Sequence, residues 1–294
     1  MVTRRQILGS ALAPLAASAQ SGPTEFQLAC MTLPYSRFSL ERALRGIAAS
    51  GFRAVAWGTS HEGKPCMAVD APPSEARALG ARCRDMGLEP VMMFTTVNLE
   101  QPNAYDAHAR RVEQAAAAGM PFVLTFGRTR PGEYEAAVDT LRRVGPLAKK
   151  AGVTVVVKQH GGNTATGRMC ARLIQDSGAE GIKVCYDAGN VLDYENADPI
   201  SDIRQCWWDV RAFALKDHRN TPVDQDCAPG LGEIDHYQLL MPVARMGIKM
   251  PLAFENIFEP IVPRPDTAEG IDRLASNARQ FMETVIRGVQ LALR

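Results

Sequence analysis

The sequence lacks an excess of charge of either sign. Its 33 lysines and arginines are nearly balanced by 32 aspartates and glutamates, which gives a net charge of +1 at pH 7. Lysine and arginine are scattered along the chain, whereas a nucleic-acid-binding protein concentrates them on one face. The composition therefore argues against nucleic acid as a partner and favours a neutral or small polar substrate.

Long hydrophobic runs are also missing. The chain begins with a moderately apolar stretch, residues 7–17, which is too short to cross a bilayer, so no stable membrane insertion is expected. The pair Arg4 and Arg5 precedes this stretch, and the small residues Ala-Ser-Ala occupy positions 17–19. This pattern is typical of a twin-arginine export signal. We therefore predict a signal peptide over residues 1–19 and a mature protein that is periplasmic or secreted.

Paired cysteine motifs are absent as well. The chain has seven cysteines, an odd number, and no two of them have C-x-x-C spacing. Several lie in apolar strand or helix patterns, where a thiol acts as a small hydrophobic side chain. We expect mostly free thiols, which suits a protein that folds in a reducing cytoplasm before export.

The sequence does contain a regular alternation of short apolar runs and longer amphipathic stretches. Eight apolar runs have the pattern of strands, and each precedes a stretch with helical spacing of its apolar residues. The runs are EFQLACMTLPY, RAVAWG, PVMMFTTV, PFVLTFG, VTVVVKQHGG, IKVCYDAGNV, RAFALKDH and MPLAFEN. Eight such units in roughly 270 residues predict an α/β protein, a single (β/α)8 TIM barrel over residues 23–294. The alternative is a doubly wound open sheet, but no G-x-G-x-x-G follows the first strand.

Polar side chains cluster where the strands in the second half of the chain end. In a TIM barrel, the catalytic groups lie at these C-terminal strand ends. Strands 5 to 8 end in Lys158, His160, Asp187, Asn190, Lys216, Asp217, His218, Glu255 and Asn256, and His61 follows strand 2. The residues that we predict to contact the substrate are His61, Asn190, Asp217, His218 and Asn256.

Two carboxylates and an imidazole in this set have the chemistry of a metal site. Asp187 and Glu255 each follow an apolar strand, and alternation places His160 on the strand face that carries Lys158. The ligand trio His160, Asp187 and Glu255 suits a divalent ion such as Mn, Mg, Co or Zn. Such an ion would polarise a carbonyl group and stabilise an enediolate. We predict that Lys158, with its pKa lowered by burial, or Glu255 moves the proton, and that Lys216 stabilises negative charge.

The motifs KQHGG, CYDAGNV, LKDH, GLGEIDH and FEN occur in that order along the chain. Together they resemble the motifs of the sugar phosphate isomerase/epimerase-like proteins, which are xylose-isomerase-like TIM barrels. The K-x-H-G-G ending of strand 5 resembles an exported branch of this family. The resemblance covers essentially the whole mature chain. It implies an isomerase or epimerase that acts on a small carbohydrate, a sugar or keto-sugar, with the help of a divalent metal.

The resemblance also implies a ligand set that this chain keeps only in part. In the family, the metal is held by Glu, Asp, His and Glu on strands 5 to 8. Asp187 and Glu255 match two of these positions, but Lys158 and Ala214 occupy the other two. One solution is that His160 supplies a ligand. The other is that no metal binds, and that the Lys158 ammonium pairs with both carboxylates near the vacated cation position.

Several alternatives remain open at this point. A lyase or hydratase acting on a 3-keto-glycoside begins with the same proton removal and ends by expelling a neighbouring group. A sugar-binding barrel without turnover would explain the lost ligands. A nuclease, as in the endonuclease relatives of this barrel, would need a basic face and a richer ligand set, which the sequence lacks. A homo-oligomer is compatible with the sequence, which does not define the number of subunits.

Overall fold

Eight parallel strands form a closed barrel in the computed structural model of the chain, which describes residues 22–294. The strands are β1 (Glu25–Met31), β2 (Ala54–Trp57), β3 (Glu89–Phe94), β4 (Phe122–Thr125), β5 (Thr154–Lys158), β6 (Ile182–Tyr186), β7 (Val210–Leu215) and β8 (Lys249–Phe254). They follow one another around the barrel in chain order, and β8 closes it against β1. The predicted (β/α)8 barrel is confirmed. The signal peptide predicted for residues 1–19 lies outside the described residues.

The helices of residues 22–294 cover the outside of the barrel. They are α1 (Leu40–Ala49), α2 (Pro73–Asp85), α3 (Ala104–Ala118), α4 (Tyr134–Lys150), α5 (Gly167–Ser177), α6 (Ala188–Glu195), α7 (Pro199–Ile203), α8 (His236–Leu240) and α9 (Ala268–Ala292). Helix α8 is short, because a 3-10 turn, Met241–Val243, follows it directly. Pro242 lies in this turn and has no backbone N–H with which to extend the helix.

Side-chain alternation along the strands separates two buried layers. In β5, Val156 belongs to the cluster inside the barrel, together with Cys185 of β6. Val155 and Val157 belong instead to the larger core between the strands and the helices. The next inward position on β5 after Val156 is Lys158. The alternation therefore directs this lysine toward the barrel mouth, the opening formed by the C-terminal strand ends.

Two short hairpins follow barrel strands at the mouth. One pairs Ser60–His61 with Lys64–Pro65 after β2, and the other pairs Asp217–Arg219 with Gln225–Cys227 after β7. Because both hairpins begin at C-terminal strand ends, they lie on the side of the barrel where TIM-barrel active sites are found. The second hairpin brings residues about ten positions downstream of β7 back against its end.

Two further features of the structure concern the state of the cysteines and the length of the helices. All seven cysteines are buried and free. Within residues 22–294, no helix combines the length and the apolar character that a membrane crossing requires.

Candidate active site

Lys158 is the centre of a buried ion cluster at the barrel mouth. Its Nζ donates to Asp187 Oδ2 at 2.9 Å and to the two oxygens of Glu255, Oε1 at 3.0 Å and Oε2 at 2.8 Å. The lysine and aspartate side chains are 3% and 0% exposed, whereas the Glu255 side chain is 18% exposed. Lys158, Asp187 and Glu255 form an ion triad that joins the ends of β5, β6 and β8. Glu255 is its only member with appreciable access to solvent.

The start of α6 fixes the orientation of Asp187. This residue is the N-cap of the helix, and its Oδ1 accepts a hydrogen bond from Asn190 N at 3.0 Å. Its backbone N–H donates to Gln159 Oε1 at 2.7 Å, which ties the end of β6 to the residue after Lys158. Since Oδ1 caps the helix, Oδ2 is the oxygen that faces the lysine. The carboxylate of Asp187 therefore caps α6 through Oδ1 and pairs with Lys158 through Oδ2.

A second lysine, Lys216, follows β7. Its Nζ donates to Asp226 Oδ2 at 2.6 Å, and Asp226 Oδ1 lies 3.0 Å from His218 Nδ1. The lysine stem crosses the start of α6 at Gly189, where an added Cβ would lie only 2.7 Å from Lys216 Cγ. The glycine of the DAGN motif is thus required by close packing. Sequence reasoning missed Asp226, because only the pairing of the hairpin brings it to Lys216.

The charges of the mouth shift one another's pKa values. Burial alone would lower the pKa of Lys158, but Asp187 and Glu255 outweigh burial and raise it. This corrects the predicted lowering of that pKa. Burial would raise the pKa of Glu255, but the Lys158 and Lys216 ammonium groups lower it to about 2. Burial dominates at the fully enclosed Asp187 and raises its pKa, although both lysines oppose the shift.

His160 lies beside this cluster between two aromatic rings. Its ring centroid is 4.4 Å from that of Phe126 and 5.6 Å from that of Tyr194. Its Nδ1 is buried and has no hydrogen-bond partner among the described residues. Burial lowers the pKa of His160, and the positive charge of Lys158 lowers it further. The imidazole is therefore neutral at pH 7 and retains an unpaired ring nitrogen. Phe126 and Tyr194 were missed by sequence reasoning.

The two glycines after His160 are required by a neighbouring loop. Gly161 and Gly162 both have positive φ angles, 74° and 53°. An added Cβ at Gly162 would lie 2.2 Å from the carbonyl oxygen of Arg128, in the loop after β4. The G-G of the K-x-H-G-G motif therefore allows a close approach between two mouth loops.

The predicted substrate contact Asp217 has a structural role. It is 0% exposed, and its carboxylate accepts hydrogen bonds from the backbone N–H groups of Gly230 and Ile234. His236 Nε2 lies 3.2 Å from Asp217 Oδ2. Burial would raise the pKa of Asp217, but His236 and these hydrogen bonds lower it. The residue holds the loop before α8 and does not join the ion triad.

The other predicted substrate contacts are also buried. Asn190 Nδ2 donates to the Gln159 carbonyl at 2.6 Å, and Asn256 Oδ1 accepts from Phe258 N at 2.8 Å. His61 Nδ1 lies 3.0 Å from a backbone carbonyl oxygen, and the residue is 5% exposed. His218 is 1% exposed and packs against the carboxylate that pairs with Lys216. Their side-chain hydrogen bonds stabilise loops of the mouth, and only Asn190 touches the ion triad, through its backbone N–H to Asp187 Oδ1.

The predicted metal trio of His160, Asp187 and Glu255 does not form one of the converging groups of ligand atoms in the described residues. Within residues 22–294, one group of metal-ligand side chains brings its ligand atoms within 4.8 Å of one another, and it consists of Asp193, His218 and Asp224. The position between Asp187 and Glu255 is filled by the Lys158 ammonium, and a protonated amine has no lone pair with which to coordinate. The donor set at the triad therefore does not fit a divalent ion.

Comparisons with known proteins agree with this architecture. A family model described as xylose isomerase-like TIM barrel matches residues 44–277. No curated protein sequence matches the chain. A xylose isomerase-like TIM barrel/4-hydroxyphenylpyruvate dioxygenase fusion protein is similar in structure, with a TM-score of 0.71 and 20% identity over 92% of this chain. The match spans only 44% of the fusion protein.

Two single-barrel structures are similar over nearly their full length. An L-ribulose 3-epimerase has a TM-score of 0.71 and 17% identity, over 91% of this chain and 96% of its own. The IOLI protein with a bound zinc atom has a TM-score of 0.70 and 14% identity, over 90% of this chain and 99% of its own. At these identities the likeness concerns the fold. With the family model matching most of its length, the chain belongs to the xylose isomerase-like TIM barrel family.

Proposed function

We propose that this protein is a sugar isomerase or epimerase. It would remove a proton from a carbon next to a carbonyl group of a sugar or keto-sugar and form an enediolate. An isomerase would then return a proton to the neighbouring carbon, and an epimerase would return it to the opposite face of the same carbon. The observation that carries the proposal is the convergence of two ammonium groups and two carboxylates, from β5 to β8, at the mouth of the barrel. Family membership and the fold shared with L-ribulose 3-epimerase support it.

The two lysines supply fixed positive charge for the enediolate. Lys158 already donates to both carboxylates of the triad, so its charge acts on the substrate mainly through space. Lys216 donates to one carboxylate, that of Asp226, and an ammonium group has three N–H donors. Lys216 is therefore the group with donors left for a substrate oxygen. Such preorganised charge in a water-poor site is an effective way to stabilise an anionic intermediate.

Proton transfer requires a group other than Lys158. A lysine whose pKa is raised stays protonated at pH 7 and cannot accept a proton from carbon. Two neighbouring groups remain, the partly exposed carboxylate of Glu255 and the neutral imidazole of His160. The Glu255→Gln and His160→Gln variants separate them, because the loss of the base abolishes carbon–hydrogen exchange and the other substitution only slows it.

A divalent ion, if one accompanies this reaction, would bind away from the ion triad. The oxygen and nitrogen ligands of Asp193, His218 and Asp224 suit Mn, Mg, Co or Zn. This rim cluster is linked to Lys216 through Asp226 and His218. We also propose, from the sequence pattern at residues 1–19, that the protein reaches its substrate after export.

The test is solvent deuterium incorporation. The purified protein is incubated in D2O with aldoses, ketoses and keto-glycosides, and NMR records both deuterium at carbon and new isomers. Lys158→Met should slow the exchange by about 10³-fold. Lys183→Met is the matched control, because Lys183 lies at the other end of β6 and pairs with Asp209 at 2.6 Å. No exchange with any sugar would contradict the proposal, and a released aglycone in place of an isomer would support the lyase alternative.

A further inference from the structure

Ala214 lies between the two strands that lead to the carboxylates of the ion triad. On β7, Ala214 pairs with Ala253, two residues before Glu255. It directly follows Phe213, the partner of Tyr186, which itself precedes Asp187. Ala214 belongs to the cluster inside the barrel, so its side chain is directed inward between the two carboxylate-bearing strands. An alanine at this point leaves room for the lysine and offers no ligand.

We propose that the Lys158 ammonium is a permanent substitute for a divalent cation at this mouth. Three observations support the substitution. The ammonium lies 2.8–3.0 Å from three carboxylate oxygens of Asp187 and Glu255. Lys216 adds a second buried positive charge nearby, which would repel a divalent ion. Releasing Asp187 and Glu255 to a metal would leave the Lys158 ammonium buried without partners, which is strongly unfavourable.

The chemistry of the two cations differs in a way that can be measured. A metal ion is lost on chelation and varies with supply, whereas the ammonium group of Lys158 is covalently attached to the chain through its side chain and is not removed by a chelator. The raised pKa of Lys158 keeps it protonated well above neutral pH. Restoring the two missing ligands by Lys158→Glu and Ala214→His should therefore convert the ion triad into a metal site.

The experiment is elemental analysis of purified protein after exposure to Mn2+, Co2+ or Zn2+ and removal of free metal. It needs no substrate, so its outcome is separate from success or failure of the proposed reaction. Wild type and Asp187→Asn should hold the same amount of metal, whatever the rim cluster of Asp193, His218 and Asp224 contributes. The Lys158→Glu/Ala214→His variant should hold one additional ion per chain and unfold at a higher temperature with metal than without it.

Two controls locate the added ion. Asp187→Asn in the double variant should remove it, because Asp187 is one of the carboxylates that the ion would bind. Lys183→Glu with Ala214→His has the same composition as the double variant, but it places the new carboxylate at the opposite end of β6. This second variant should gain no ion.

Two results would overturn the inference. One is metal in wild type that disappears in Asp187→Asn or Glu255→Gln, since that ion would have displaced the ammonium. The other is a folded double variant that gains no ion. If the double variant does not fold, Lys158→Met decides the matter. Mn2+ should raise its unfolding temperature more than that of wild type, because its two carboxylates are unpaired, and equal shifts would contradict the substitution.

Discussion

The two halves of the barrel mouth differ in chemistry. The ends of β1 to β4 present apolar side chains, among them Met31, Phe94 and the half-buried Phe126. The ends of β5 to β8 present two lysines and two carboxylates, which pair with one another or with the adjacent hairpin. An apolar wall opposite a charged one excludes water and strengthens the electrostatic interactions across the mouth. Under the proposed function, the charged half would carry the chemistry and the apolar half would set its environment.

Removing the positive charge of Lys158 should have the largest effect on stability and on exchange. Lys158→Met leaves two buried carboxylates without a counter-ion, so we expect a loss of about 3–5 kcal/mol in the free energy of unfolding. We also expect deuterium exchange to slow by about 10³-fold. Urea unfolding and NMR exchange rates measure the two effects. The matched Lys183→Met variant removes a pair whose side chains are 34% and 17% exposed and should cost about 1 kcal/mol or less. Equal losses of stability and of exchange rate in both variants would contradict a special role for Lys158.

The stability loss caused by Glu255→Gln, in the charged half of the mouth, should depend on pH. Since the pKa of Glu255 is lowered from 4.5 to about 2, its stabilising contribution is present above pH 4.5 and is lost as the pH falls through 2. We expect the variant to be about 3 kcal/mol less stable than wild type at pH 7. The difference in free energy of unfolding, measured in urea, should shrink between pH 4.5 and 2. A difference that is constant over this range would mean that pairing with Lys158 does not lower the pKa of Glu255.

Neutralising the whole triad should recover part of the lost stability. The triple variant Lys158→Met, Asp187→Asn, Glu255→Gln has no unpaired buried charge, and Asn remains a good N-cap for α6. It should be about 2 kcal/mol more stable than Lys158→Met alone, while deuterium exchange stays at least as slow as in that variant. Urea unfolding of the two proteins side by side measures the gain. A triple variant less stable than the single one would show that the carboxylates stabilise the fold independently of the lysine.

The apolar half should give the smallest effect and one without pH dependence. Phe94→Leu keeps the site apolar and loses some packing volume, so we expect about 1 kcal/mol of destabilisation. The loss should stay the same between pH 4.5 and pH 2, in contrast to that of Glu255→Gln. Deuterium exchange should slow only a few-fold. A strong dependence of this loss on pH would contradict the division of the mouth into two halves.

The sequence predicts the barrel well because the signal repeats eight times, and alternation correctly directs Lys158 inward from Val156. The same alternation was a usable signal for Asp217, which is adjacent to the inward Lys216 and faces its own loop instead. The partner of Lys216 was not predictable in this way. Asp226 reaches it only because a hairpin folds back, and the loop sequence gives no register for that pairing.

The direction of the Lys158 pKa shift could not be predicted from the sequence either. Burial and carboxylate pairing act in opposite directions on a lysine, and a sequence does not show which is stronger. The distances to Asp187 and Glu255 decide the outcome in favour of the charged form. Once the ammonium is placed between these two carboxylates, His160 is no longer required as a metal ligand. It becomes a neutral group with an unpaired nitrogen.

The most direct test of the account is the deuterium exchange rate of wild-type protein after exhaustive chelation, with its metal content measured on the same sample. The account predicts an unchanged rate, because the positive charge between Asp187 and Glu255 belongs to Lys158. An exchange rate that disappears with the metal and returns with Mn2+, together with an ion that Asp187→Asn fails to bind, would contradict it.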